Sequence, residues 1–381
     1  MPLKVMTIFG TRPEAVKMAP LVKELEARPE IQSICCITAQ HRQMLDDVLR
    51  LFAITPDYDL DIMEDRQSLY TITSKCLLGM EAVLSREKPD LVLVHGDTST
   101  TFSGALAAFY QKIPVGHVEA GLRTWDRYSP FPEEMNRTLV GDLAQFHFAP
   151  TKANRENLLG EGIKEGVFVT GNTVIDALKT TVRPDYSFRT QLLNTLDYAG
   201  KRVILVTCHR RENYGQPMEN IMKALRRIAE DFPETELVYP VHLSPVVQEV
   251  ARKHLSGHDR IHLIQPLTPD EMHNLMARSS FVMTDSGGLQ EEAPALGRPV
   301  LVLRRETERP EAVAAGTVRL AGTEEEAVYS QAARLLTDPA AYEAMAQAVN
   351  PYGDGNACRR IVDAILWKQG LRDQPPEEFL V

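Results

Sequence analysis

The sequence has no apolar run near the ~20 residues that a helix needs to cross a bilayer, and its first residues do not form the apolar core of a secretory leader. No membrane partner is expected. Cysteine is scarce: five in 381 residues, none in a CxxC pair. That sets aside a disulfide scaffold and fits a reducing, cytoplasmic compartment. Positive charge is in deficit, with 42 Lys+Arg against 52 Asp+Glu and a net charge of −10. Nucleic-acid binding wants a basic face, so no nucleic-acid partner is expected either. An anionic ligand would need a local cationic pocket inside an acidic protein. Internal repeats and low-complexity tracts are also missing.

What is present is an ordinary globular composition, 44% hydrophobic and 25% charged, in a chain long enough for two domains with full cores. Apolar β-type runs recur at Lys4–Gly10, Ile34–Ala39, Leu91–Val94, Pro114–Val118, Gln145–Ala149 and Val167–Thr170. Helical periodicity separates them at Met44–Phe52, Leu69–Arg86, Ser99–Tyr110 and Glu133–Leu143. Gly171-Asn172 and the polar stretch to Lys201 read as a domain junction. Alternation restarts at Val203–Thr207 and continues through Glu236–Val241, Ile261–Ile264, Phe281–Met283 and Pro299–Leu303. Thr268-Pro269-Asp270-Glu271 carries an N-cap, a proline for the first helical position and a capping-box glutamate. Asn356–Gly370 is one amphipathic helix. Strands alternating with helices imply parallel sheets covered on both faces. The fold class is α/β, with two Rossmann-like domains facing a cleft, residues 1–171 and 172–361.

Ligands of such sheets bind at the carboxyl ends of the strands. The informative polar residues all follow strands: Arg12, Gln40-His41-Arg42, Asp97, Glu119, His209-Arg210-Arg211, His242 and Ser286. In the second half, Phe281–Ala293 reads strand, glycine turn, helix. The first turn of a helix carries unpaired N–H groups, Gly287 and Gly288 keep Cβ atoms out of the way, and Ser286 adds a hydroxyl. These parts suit a nucleoside diphosphate, with Glu291 or Glu292 placed to bind ribose hydroxyls. An ordinary β–turn–α connection would use the same residues. In the first half, Asp97, Glu119, Glu133 and Glu134 could separate their pKa values and run acid and base steps together. The competing assignments are an N-cap for Asp97 and favourable helix-start charges for Glu133 and Glu134. His209 and the arginines after it could neutralise a leaving phosphate. His95-x-Asp97 and His117-x-Glu119 also allow four metal ligands on one sheet end, although no short-range metal motif supports this.

Together these stretches resemble the non-hydrolysing UDP-N-acetylglucosamine 2-epimerases. The resemblance rests on Phe9-Gly-Thr-Arg-Pro-Glu-Ala15, Thr38-Ala-Gln-His-Arg-Gln-Met44, Val94-His-Gly-Asp-Thr98, His117-Val-Glu-Ala-Gly-Leu-Arg123, Ser129-Pro-Phe-Pro-Glu-Glu134, Asn136-Arg-Thr138, His209-Arg-Arg-Glu-Asn213 and Thr284–Pro294. Cys208 is one departure, where a glycine or other small residue is expected. The resemblance implies the glycosyltransferase-B architecture, with the C-terminal helix (about 362–381) crossing back to the first domain. It implies reversible conversion of UDP-N-acetylglucosamine to UDP-N-acetylmannosamine through anti elimination of UDP and re-addition to 2-acetamidoglucal, with no cofactor and no metal. By position it makes Asp97, Glu119, Glu133 and His209 catalytic. Arg12, Lys17, Arg137, Ser286, Gly287, Gly288 and Glu292 become substrate-binding. It further implies that Gln40, His41, Gln43, Arg66, Arg210 and His242 hold a second UDP-N-acetylglucosamine as an allosteric effector. A homodimer is expected. The alternative is a hydrolysing 2-epimerase, which releases UDP and N-acetylmannosamine.

Overall fold

The computed structural model describes residues 2–40, 42–64 and 67–380, without the side chain of Gln43. His41 and Arg66 therefore lie outside the described residues. The chain divides into two compact units, Met1–Thr180 with Tyr352–Val381, and Thr181–Pro351.

The first unit is built on seven strands: β1 (Leu3–Phe9), β2 (Ile31–Ile37), β3 (Tyr58–Asp59), β4 (Leu91–His95), β5 (Val115–Val118), β6 (Phe146–Ala149) and β7 (Val167–Val169). Their order is β3-β2-β1-β4-β5-β6-β7, and neighbours run parallel. β1 pairs with β2 from Leu3↔Ile31 to Phe9↔Ile37 and with β4 on its other side. Its side chains alternate between two apolar layers, Val5 and Phe9 in one, Met6 and Ile8 in the other. That is the pattern of a strand buried on both faces. Cys35 and Cys36 part in the same way. All five cysteines are buried and free.

The last helix, Ala357–Lys368, packs Ile361, Val362 and Ile365 into the layer that also holds Met18, Leu21 and Leu25 of the helix Arg12–Glu26. The C-terminal helix thus returns to the first unit. Asp176, on the helix Thr173–Thr181, accepts the N–H groups of Ala357 and Cys358 at 3.1 and 2.9 Å, which caps the returning helix. Asn172 N–H donates to Tyr352 O at 2.7 Å. These ties explain why the chain divides near Thr180 and Tyr352 and not at Gly171 and residue 361. The stretch that reads as a junction opens with a helix anchored in the first unit.

The second unit has six strands: β8 (Arg202–Thr207), β9 (Thr235–Pro240), β10 (Ile261–Ile264), β11 (Phe281–Thr284), β12 (Val300–Val302) and β13 (Val318–Leu320). They run parallel in the order β10-β9-β8-β11-β12-β13. In each unit the winding reverses beside the first strand, between β1 and β4 and between β8 and β11. Loops at the carboxyl ends of those pairs border a topological switch point, the usual ligand seat of such sheets.

β3, β13 and the helix Lys152–Gly160 were not foreseen from the pattern. β2 also begins and ends earlier than expected, because Ala39 takes a left-handed backbone (φ 52°) beyond its end. The helix Pro269–Arg278 starts where expected, yet the Thr268 side chain caps no backbone N–H. Glu271 instead accepts the Thr190 N–H at 2.9 Å and lies 3.4 Å from the Thr268 hydroxyl. Among the described residues no helix is long and apolar enough to cross a membrane.

Candidate active site

At the β1–β4 switch point the chain must pack three loops tightly. A Cβ on Gly10 would stand 1.9 Å from Thr38 Oγ1, so only glycine fits. Glu14, 2% exposed, ties the loops together. One carboxylate oxygen accepts the N–H groups of Gly10 and Thr11 and the Thr11 hydroxyl at 2.7–3.1 Å. The other accepts the hydroxyls of Thr98 and Thr101 at 2.8 and 3.2 Å. Thr98, not Asp97, is the N-cap of the helix Ser99–Tyr110. The capping assignment for Asp97 therefore falls. Its carboxylate instead receives Arg137 Nη2 at 2.6 Å, and its backbone carbonyl receives Asn136 at 2.9 Å.

Glu119 follows β5 with a left-handed backbone (φ 63°), a conformation that costs a non-glycine residue energy and recurs at functional sites. Its carboxylate forms an ion pair with Lys17. It also accepts Asn172 Nδ2 at 2.9 Å and lies 3.5 Å from His95 Nε2. Burial opposes its charge, but Lys17 and His95 outweigh that and hold the carboxyl well below the usual range. Lys17 projects from the helix that Arg12 opens.

Glu133 and Glu134 both open the helix Glu133–Leu143, and the structure separates them. Glu134 is buried; it accepts the N–H groups of Thr124 and Trp125 at 3.0–3.1 Å and lies 3.4 Å from Arg137. It serves the loop's architecture. Glu133 is only half buried. The four-ligand metal arrangement does not form. His117 Nε2–H donates to Gly96 O at 2.7 Å, and burial drives its pKa down to about 3. Arg137 occupies Asp97. No group of three or more His, Cys, Asp or Glu among the described residues could hold a metal ion.

In the second unit the β8–β11 switch point is organised by Asp285, which is fully buried. One carboxylate oxygen accepts the N–H groups of His209 and Arg210 at 2.8 Å and Asn213 Nδ2 at 3.1 Å. The other lies 3.4 Å from His209 Nδ1. The His209 ring stacks on His242, with centroids 5.2 Å apart and planes 11° apart. Burial lowers the His209 pKa; Asp285 opposes this, and His242 and Arg210 reinforce it. At Gly287 a Cβ would point to within 3.7 and 3.9 Å of the guanidiniums of Arg210 and Arg309. The loop thus presents bare backbone beside two cations. Glu291 turns away to pair with Arg309. Glu292 reaches back, its carboxylate close to Gly288 and 3.3 Å from His273 Nε2.

Of the residues expected to hold a second ligand, Gln40 accepts the Thr100 hydroxyl at 3.1 Å, while Arg210 and His242 lie beside Gly287 and His209. Pattern reading missed Asn172, Asp285, His273 and Arg309 as neighbours of the site residues. Asp285 alone carried a signal, since it sits inside the glycine turn.

Two parallel, doubly wound sheets with polar loops at both switch points define an α/β protein of glycosyltransferase-B architecture. The UDP-N-acetylglucosamine 2-epimerase family profile matches residues 23–366. A Bacillus subtilis UDP-N-acetylglucosamine 2-epimerase is 59% identical over 379 residues, covering 99% of this chain and 98% of its own. A Listeria monocytogenes crystal structure superposes with a TM-score of 0.94 at 54% identity, each chain covered in full. The Neisseria meningitidis UDP-GlcNAc 2-epimerase bound to UDP-GlcNAc gives 0.87 at 50% identity, covering 96% of this chain and all of that one. The chain belongs to the UDP-N-acetylglucosamine 2-epimerase family.

Proposed function

We propose that this protein interconverts UDP-N-acetylglucosamine and UDP-N-acetylmannosamine without hydrolysis, by eliminating UDP and adding it back to 2-acetamidoglucal. The observation that carries the reading is Glu119: a largely shielded carboxylate, its side chain 10% exposed, on strained backbone and kept ionised by Lys17. The C2–H beside an acetamido group is a weak acid, and its removal needs a base that is ready in its charged form. Departure of the diphosphate makes C1 cationic and acidifies C2. Asp97 and Glu133 are the further acid/base groups, with Arg137 holding Asp97 in place. His209, oriented by Asp285, and the Gly287 loop with Arg210 take the charge of leaving UDP. Glu292 takes the ribose. Arg12 adds positive charge on the first-unit side. The glycal must be retained until UDP returns. No step of this reaction requires a metal or redox cofactor.

Product analysis tests the non-hydrolytic claim. Purified protein given UDP-N-acetylglucosamine should yield UDP-N-acetylmannosamine in an equilibrium mixture. Stoichiometric UDP with free N-acetylmannosamine as the final product would replace the proposal with the hydrolysing reading. We further propose that Gln40, His41, Gln43, Arg66, Arg210 and His242 bind a second UDP-N-acetylglucosamine as an activator.

A further inference from the structure

At the opposite, amino-terminal end of the second sheet lies a cavity of about 340 Å³. It opens where β8, β11 and β12 begin. Four cations line it, Lys201, Arg202, Arg278 and Arg298, against one carboxylate residue, Glu234. This local excess of positive charge stands out in a chain whose acidic residues outnumber its basic ones by 52 to 42. None of the four cations joins an ion pair among the described residues. Each is held by something other than a carboxylate. Lys201 Nζ donates to Pro233 O at 3.1 Å, Arg278 to Tyr186 O at 2.6 Å and Arg298 to Ala277 O at 2.6 Å. The Arg202 guanidinium lies 5.7 Å from the Tyr342 ring centroid, and Arg278 lies 5.8 Å from that of Tyr198. Arg298 Nε is buried without a hydrogen-bond partner. Such a donor costs free energy unless a ligand or water meets it.

We propose that this cavity binds a compact polyanion of the phosphate class, at a site separate from the Gly287 loop. Aromatic contacts and carbonyl bonds hold the arginine side chains before any ligand arrives, so little ordering is left to oppose binding. The volume falls at the lower end of the ~300–1,000 Å³ typical of small-molecule sites, which suits two linked phosphates better than a bulky ligand. Guanidiniums offer the forked donors that phosphate oxygens accept.

Inorganic pyrophosphate is the probe. Calorimetric titration is run with saturating UDP present, so that binding at a UDP-filled loop does not contribute. The expected result is a residual site whose affinity falls with added salt. That site should weaken at least about tenfold in Arg202→Gln combined with Lys201→Gln, since each change removes a charge-assisted contact. Both residues lie far from the carboxylate cluster in sequence, and the double variant should keep its epimerase activity. Arg298→Gln should weaken the same site. If that variant fails to fold, the rim pair decides the matter. Absence of pyrophosphate binding under saturating UDP would overturn the proposal, as would unchanged affinity in the folded double variant.

Discussion

Glu119 shows how much of the site a sequence can carry and where it stops. Its place after β5 is legible as a strand followed by an acid, but its charge state depends on Lys17, Asn172 and His95. Lys17 lies 102 residues away, and no local pattern links the two. Asp97 is similar, because local reading makes it an N-cap while Thr98 takes that role and Arg137 claims the carboxylate. Glu119→Gln and Asp97→Asn should each lower kcat at least about a hundredfold, the usual scale of a lost acid/base group. UDP affinity, measured by calorimetry, should stay within a few-fold of the parent. Lys17→Met gives a sharper test. With the cation gone, His95 is left to oppose burial and the Glu119 pKa rises, so the acidic limb of the pH–rate profile moves to higher pH. An unmoved limb would show that Glu119 is not the group that must be ionised. In the second unit, Glu292→Ala should weaken UDP binding by about 1–3 kcal/mol through lost ribose hydrogen bonds. Unchanged affinity would refute that assignment.

Whole elements were easier to read than their partners. The helices Ser99–Tyr110 and Glu133–Leu143 have the limits their patterns announce. β3 is two residues long and borrows its pairing from Cys36 and Ile37, so no periodicity could reveal it. The helix Thr173–Thr181 hid in a polar stretch because its meaning lies in Asp176 capping a helix far along the chain. The β5–β6 side of the first sheet also carries a pH liability. His117 on β5 and His147 on β6 are buried, with pKa values driven down to about 3 and about 4. The unfolded chain binds these protons near pH 6.5 while the folded one refuses them, so stability is full above about 6.5 and declines as pH falls toward the folded values. Each histidine contributes a slope of about 1.4 kcal/mol per pH unit in that window. Urea unfolding of the His117→Gln variant between pH 4 and 6 should show a shallower slope than the parent. Equal slopes would mean that His117 does not carry the effect. Gln at 117 can still donate to Gly96 O.

At the scale of the molecule, alternation of strand and helix already implied two doubly wound sheets, and both are there in Rossmann order. The regulatory reading belongs to this scale as well, because an effector acts by shifting a conformational equilibrium, typically with a coupling of about 1–3 kcal/mol. It predicts sigmoidal kinetics with UDP-N-acetylglucosamine. It also predicts a reverse reaction that stays slow from pure UDP-N-acetylmannosamine until some UDP-N-acetylglucosamine is added. Gln43→Ala should abolish that activation. It is a cleaner variant than His242→Ala, because His242 stacks on His209. Full-rate reverse turnover without a lag would remove the second site. The central claim is chemical, that the C2 proton leaves the sugar and returns from a group in exchange with solvent. Turnover of UDP-N-acetylglucosamine in heavy water, followed by proton NMR, reads that step directly. Elimination and re-addition should leave deuterium at C2 of the UDP-N-acetylmannosamine formed. Epimerised product that keeps its original C2 hydrogen would contradict it.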